Sequence, residues 1–147
     1  MPRIRLRDAT TSDLVLTYTI TEDAMRAYVE QTWGSWDPDE QFQKHRDNFT
    51  PETHSVILAD DDEIGFVAVE DLPTYLWLVK MYLFASHRNR GIGSQILKAL
   101  LHRAETLGKP VRLRVLRVNA SARRLYERHG FKVIDETAQR LFMQSGA

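Results

Sequence analysis

The sequence predicts a mixed α/β protein, with helices and strands sandwiched around one sheet. Three observations carry this. Short apolar runs with strand-like alternation recur from Arg3 to Met143. Two of them, 55–59 and 64–70, flank the polar turn Asp60-Asp61-Asp62-Glu63, which is a hairpin signal. A clear amphipathic helix, 91–107, separates two further strand-like runs.

Taken in order, Arg3-Ile4-Arg5-Leu6-Arg7 alternates and reads as a first strand. Thr10, Thr11, Ser12 and Asp13 supply N-cap candidates for a helical stretch towards Gln31. Its apolar positions Leu14, Tyr18, Met25, Tyr28 and Val29 fit helical spacing imperfectly, and a break is expected at Thr21-Glu22-Asp23, where Thr21 could cap a second helix. After a turn at 33–38, Asp37 caps a short helix with Pro38 in its first position, ending near Phe49. The hairpin follows, then an apolar strand over 76–84. On helix 91–107, Ile92, Ile96, Leu97, Leu100, Leu101 and Ala104 share one face, and Gly108 stops it with Pro110 beyond. Val111, Leu113 and Val115 alternate with Arg112 and Arg114 as the next strand. Asn119 or Ser121 opens a helix that closes at Gly130, and 131–134 and 137–143 complete an antiparallel pair. The element order is β-α-α-β-β-β-α-β-α-β-β.

The 147 residues suit one domain, 1–147, large enough for both a core and a cleft. Twenty basic residues balance twenty acidic ones, which argues against a nucleic-acid partner. Arginine outnumbers lysine fifteen to five, mostly from Arg88 onward, so a local site for an anion stays open within a neutral whole. The absence of cysteine excludes a disulfide scaffold, a thiolate nucleophile and Cys-ligated zinc. The five histidines lack metal-ligand spacing, so no metal is expected. No apolar run approaches a membrane span and the N-terminus has no apolar core of a leader, so no membrane partner and a cytoplasmic location are expected.

The chemistry concentrates in a strand, then Arg88-Asn89-Arg90-Gly91-Ile92-Gly93-Ser94, then a helix. Glycines at a helix start let the backbone approach a ligand, and the first-turn N–H groups and helix dipole favour negative charge. With Arg88 and Arg90 beside them this is a pyrophosphate cradle. It lacks the Gly-Lys-Ser/Thr of a P-loop and the spaced glycines of a dinucleotide fingerprint.

Arg88-x-x-Gly91-x-Gly93 resembles the acetyl-coenzyme A signature of the GCN5-related N-acetyltransferases (GNAT). Met81-Tyr82-Leu83 precedes it at the family's spacing, and residues 118–131, with Asn119, Leu125-Tyr126 and Gly130-Phe131, are similar to the family's second signature. Residues 25–34 further resemble a bacterial subgroup with no acceptor assigned. The resemblance implies a mixed sheet whose two central parallel strands, 76–84 and 111–118, splay apart, with helices on both faces. It implies acetyl-coenzyme A as cosubstrate: pyrophosphate at Arg88, Asn89, Arg90, Gly91, Ile92, Gly93 and Ser94, pantetheine pairing with Tyr82 and Leu83, and Asn119 as a polar contact. It implies transfer of the acetyl group to a primary amine by direct attack in a ternary complex, with Tyr126 protonating the departing thiolate.

The sequence departs from the family at the general base. Where some members carry a strand glutamate, Trp77 stands here, leaving Glu70 and Glu30 as the nearest acids, for proton transfer or for holding a cationic acceptor. Trp33, Trp36 and Trp77 are candidate acceptor walls, with core packing the default for Trp77. A small molecule or a peptide could be the acceptor, and a homodimer stays open. A non-catalytic acyl-coenzyme A sensor, which kept the cradle and lost the base, is the alternative.

Overall fold

The computed structural model describes residues 2–146. Its elements are β1 (Ile4–Asp8), α1 (Leu14–Trp33), α2 (Pro38–Asn48), β2 (His54–Ala59), β3 (Asp62–Asp71), β4 (Leu76–Leu83), α3 (Ile92–Leu107), β5 (Val111–Leu116), α4 (Ala120–Arg128), β6 (Lys132–Glu136) and β7 (Arg140–Gln144). The strands form one mixed sheet in the order β1-β2-β3-β4-β5-β7-β6, with β4 and β5 parallel. The mixed α/β class is as the sequence predicts. By its contacts the chain divides into two compact units, Met1–Ala68 with Lys80–Asn89, and Val69–Val79 with Arg90–Ala147.

In the first unit, β1, β2 and the adjoining part of β3 form an antiparallel ladder. Val56, Leu58 and Ala9 make a buried cluster with Leu16 and Phe49 against it. Helix α1 runs unbroken for 20 residues, correcting the expected break at Thr21. Thr21 does not cap a new helix, because its hydroxyl donates back to the Thr17 carbonyl at 2.8 Å, one turn earlier. Helix α2 starts as predicted, with the Asp37 carboxylate accepting from the Asp39 and Glu40 N–H groups and Pro38 in the first turn.

Two imidazoles of this unit are buried, His45 on α2 and His54 at the start of β2. His45 shares a 2.7 Å hydrogen bond with the Thr17 hydroxyl through Nε2, and its Nδ1 has no partner among the described residues. Tyr18, Phe49 and Phe66 pack around its ring. Burial pushes the His45 imidazole down to about 4, and nearby Lys80 and His54 add to the shift. Burial also lowers the His54 imidazole. A depressed folded-state pKa means that the unfolded chain binds the proton first. The contribution is therefore fully present above pH ~6.5 and is lost as pH falls towards 4. For His45 the loss is on the order of 3 kcal/mol by pH 4. The Arg7 guanidinium holds the Asp13 carboxyl below its usual range, so its loss comes at more acid pH. Melting temperature followed from pH 7 to 4 should fall steeply in the wild type and less in His45→Gln. Parallel curves for the two proteins would remove His45 as the cause.

In the second unit, Ile92, Ile96, Leu97, Leu100 and Ala104 of α3 are buried, the face its spacing predicts apart from Leu101. Val111, Leu113 and Val115 of β5 and Leu141 and Met143 of β7 are buried too, on alternating positions of adjacent strands. The C-terminal pair is shifted from its expected bounds. Residues 137–139 are a turn, in which the Thr137 N–H donates to the Arg140 carbonyl and the Arg140 N–H to the Thr137 hydroxyl. No helix among the described residues is long and apolar enough to cross a membrane.

Candidate active site

Strand β4 ends where the Phe84 N–H donates to the Ile64 carbonyl. Beside this point β3 carries Gly65, where a Cβ would lie 2.3 Å from the Tyr82 carbonyl oxygen and 3.1 Å from Leu83 Cα. Only glycine permits so close a backbone approach at Tyr82 and Leu83.

The segment after β4 is clamped to α1. The Asp23 carboxylate accepts from the Ala85 N–H at 2.8 Å and lies 3.6 Å from Arg88 Nη2. Arg88 Nε donates to the Leu83 carbonyl and Nη2 to the Asp23 carbonyl, each at 3.2 Å. These contacts tie Arg88 to α1 and to the end of its own strand, while its Nη1 makes no hydrogen bond among the described residues. Asn89 follows with φ 62°, a conformation asparagine tolerates better than most residues.

In the second unit, Gly91 is the N-cap of α3 at φ 79°, and no side chain caps that helix start. Gln95 is the first residue whose N–H bonds back, to the Gly91 carbonyl, so the Ile92, Gly93 and Ser94 N–H groups precede the helical ladder. Arg90 is exposed. The Ser94 hydroxyl lies 3.1 Å from His129 Nε2, which ties the first turn of α3 to the end of α4. Desolvation lowers the His129 imidazole, with Lys98 and Arg128 adding to the effect, so the neutral ring is favoured. The sequence reading passed over His129, since nothing local links it to a serine 35 residues earlier.

The parallel ladder between β4 and β5 covers only three pairs: Leu76 with Val111, Trp77 with Arg112, and Leu78 with Leu113. Both strands continue beyond it, β4 to Leu83 and β5 to Leu116. At the end of β5, Asn119 caps α4 by accepting from the Ala122 N–H at 3.1 Å. Its side-chain NH2 has no partner among the described residues, so capping leaves it a donor to spare. Tyr126 is buried on α4, its ring 5.7 Å from that of Phe131.

The candidate acids and aromatic walls separate clearly. Glu30 is exposed on α1, 3.7 Å from Arg26 one turn before it, an ordinary helix-surface pair. Glu70 is exposed, makes no hydrogen bond or ion pair among the described residues, and lines a cavity of about 400 Å3 within the second unit. Trp77 lines the same cavity, edge-on to Tyr75 at 6.4 Å, so its default assignment to the core is corrected. Trp36 is buried and donates from Nε1 to Glu22 at 2.9 Å. Trp33, 49% exposed, stays at the surface end of α1. No cluster of three His, Cys, Asp or Glu side chains among the described residues could hold a metal ion.

Comparison with known proteins gives one family and many folds of this kind. A family model described as the acetyltransferase (GNAT) family matches residues 17–131. Among solved structures, the PaiA N-acetyltransferase of Thermoplasma acidophilum in complex with coenzyme A is 20% identical, with 99% of each chain covered and a TM-score of 0.77. The ribosomal-protein-S18-alanine N-acetyltransferase of Escherichia coli is 19% identical, covering 99% of this chain and 96% of that one, with a TM-score of 0.73. Arabidopsis thaliana Naa50, in complex with the bisubstrate analogue CoA-Ac-MVNAL, is 15% identical, covering 98% and 99%, with a TM-score of 0.67. No curated protein matches by sequence.

Proposed function

The chain belongs to the acetyltransferase (GNAT) family, whose members are acetyl-coenzyme A-dependent acyltransferases, and from that premise we propose that it acetylates a primary amine by direct attack with both substrates bound. The observation that carries this reading is the β4–β5 ladder, which ends after three pairs although both strands run on. Where two parallel strands part, an amide-rich pantetheine arm can lie along them as an added strand would. The uncapped start of α3 suits a diphosphate, because its first-turn N–H groups precede the helical ladder.

Each residue then has a role. Acetyl-coenzyme A supplies an activated acyl group on a thiolate leaving group. Tyr82 and Leu83 offer backbone to the arm, and an N–H there polarises the thioester carbonyl. Ile92, Gly93 and Ser94 donate to the diphosphate, Arg88 and Arg90 add charge, and Asn119 offers its NH2 to the arm. Glu70 takes a proton from the acceptor ammonium, directly or through water. The nitrogen–carbon bond forms, the carbon–sulfur bond breaks, Tyr126 gives its proton to the sulfur, and the second proton leaving the nitrogen passes through water to restore the phenol. Ternary binding supplies proximity without a covalent intermediate. The relatives named for a ribosomal alanine and for a peptide bisubstrate support an amine acceptor. We place the activity in the cytoplasm, carried by residues 1–147 as one acetyltransferase domain, in the bacterial subgroup that residues 25–34 resemble.

The test is binding and release measured together. At ~100 times its dissociation constant, acetyl-coenzyme A should add ~2.7 kcal/mol to the stability of the wild type. Gly91→Glu should abolish that gain, because it places a carboxylate at the diphosphate position and a side chain at φ 79°. A space without neighbours surrounds a Cβ at Gly91, so the variant should still fold. An unchanged wild-type melting temperature under saturating acetyl-coenzyme A would sink the cradle. Binding without coenzyme A release on any amine would instead favour the sensor.

A further inference from the structure

Resting on the acetyltransferase reading above, we propose that the acceptor is a free α-amino acid with a large apolar side chain, held in the cavity of the second unit. Its volume of about 400 Å3 suits a small molecule. Its position suits an acceptor, because Trp77 and Arg112 line it and are also a registered pair of the β4–β5 ladder, one step from where that ladder ends.

The lining carries three kinds of chemistry. Tyr75, Trp77 and Phe142 are aromatic walls for an apolar body. Glu70 and Asp135 are carboxylates. Glu70 has no counter-charge among the described residues, and Asp135 accepts only from the neighbouring Glu136 N–H, so both are available to an ammonium group. Arg112 is the cation. Its Cζ stacks 4.5 Å over the Tyr75 ring, and Nε donates to the Gln144 side chain at 2.6 Å. Stacking and that hydrogen bond hold the guanidinium in place, while its two terminal nitrogens have no partner among the described residues. A fixed guanidinium with its outer donors unused matches a carboxylate. An arginine and two carboxylates share the cavity without an ion pair among them, so each sign is left for the ligand. A molecule with ammonium, carboxylate and apolar side chain on one carbon satisfies all three.

The experiment measures coenzyme A release at saturating acetyl-coenzyme A with L-phenylalanine, L-phenylalaninamide and a peptide beginning with phenylalanine. L-Phenylalanine should exceed the amide and the peptide at least tenfold in kcat/KM. Arg112→Gln and Arg112→Lys should erase that preference by lowering the free acid at least tenfold more than the amide or the peptide. Glu70→Gln should lower all three. Thermal melts of each variant, with and without acetyl-coenzyme A, establish that the variants fold and bind the cosubstrate. If acetyl-coenzyme A binds and the amide or the peptide matches the free acid, or the preference survives in both Arg112 variants, the amino-acid proposal is overturned and the transferase stands. If acetyl-coenzyme A fails to stabilise the wild type, and no amine releases coenzyme A, the transferase reading falls and takes this proposal with it.

Discussion

Tyr126→Phe should lower turnover by ~10²–10⁴ at saturating substrates, the range for losing a positioned acid. The fold should survive, because the ring is what packs 5.7 Å from Phe131 and phenylalanine keeps it. Acetyl-coenzyme A binding should remain close to wild type, since the cradle lies on other residues. A tyrosine that only packs makes a different forecast. Deleting a buried hydroxyl and stranding its partner costs ~1–3 kcal/mol of stability and leaves turnover per folded molecule unchanged. Melting temperature and single-turnover rate on one preparation separate the two. Wild-type turnover in the folded variant would transfer the acid role elsewhere.

Gly65→Ala should be the most damaging small substitution in the first unit. The new methyl would meet the Tyr82 carbonyl oxygen at 2.3 Å and Leu83 Cα at 3.1 Å. Both are backbone atoms of the neighbouring strand, which cannot rotate away as a side chain would. The cost should reach or exceed the ~1–3 kcal/mol usual for overpacking, lowering the melting temperature by roughly 10 °C. A displaced β4 also moves the backbone proposed to pair with pantetheine, so acetyl-coenzyme A affinity should fall beyond what lost stability explains. Gly34→Ala is the comparison. Its φ of 94° is also unfavourable to alanine, but nothing lies within 4 Å, so only the ~1 kcal/mol backbone penalty should appear. Equal melting temperatures for the two variants would show that β3 and β4 can part at no cost.

Much of this was legible in one dimension. The start and stop of α3, the Asp37-Pro38 start of α2, the hairpin and the cradle motif all depend on residues within a few positions of one another. Capping, turn formation and helical periodicity act over that range, so the residue types alone decide them. The two spaced signatures carried the family for the same reason.

Other features needed the tertiary structure. Arg88 reads only as a phosphate ligand until its contacts with Asp23, 65 residues earlier, show that it also ties its turn to α1. Thr21 reads as a cap until its hydroxyl is seen bonding within the same helix. Trp36 and Trp77 are alike as indoles in the sequence, and only the fold shows one buried with Nε1 on Glu22 and the other on a cavity wall beside Tyr75. Gly65 shows no local reason to be glycine, since its constraint lies in the strand beside it. Glu70 and Glu30 are equivalent as acids in the sequence, and only their surroundings, an open cavity for one and Arg26 for the other, tell them apart. The sequence by itself determined most of the elements, which rest on short-range backbone geometry, and, through the resemblance of its two signatures, the family and its cosubstrate. Which charges are spent on the protein and which remain for a substrate was decided only by the fold, because pairing depends on distance in space.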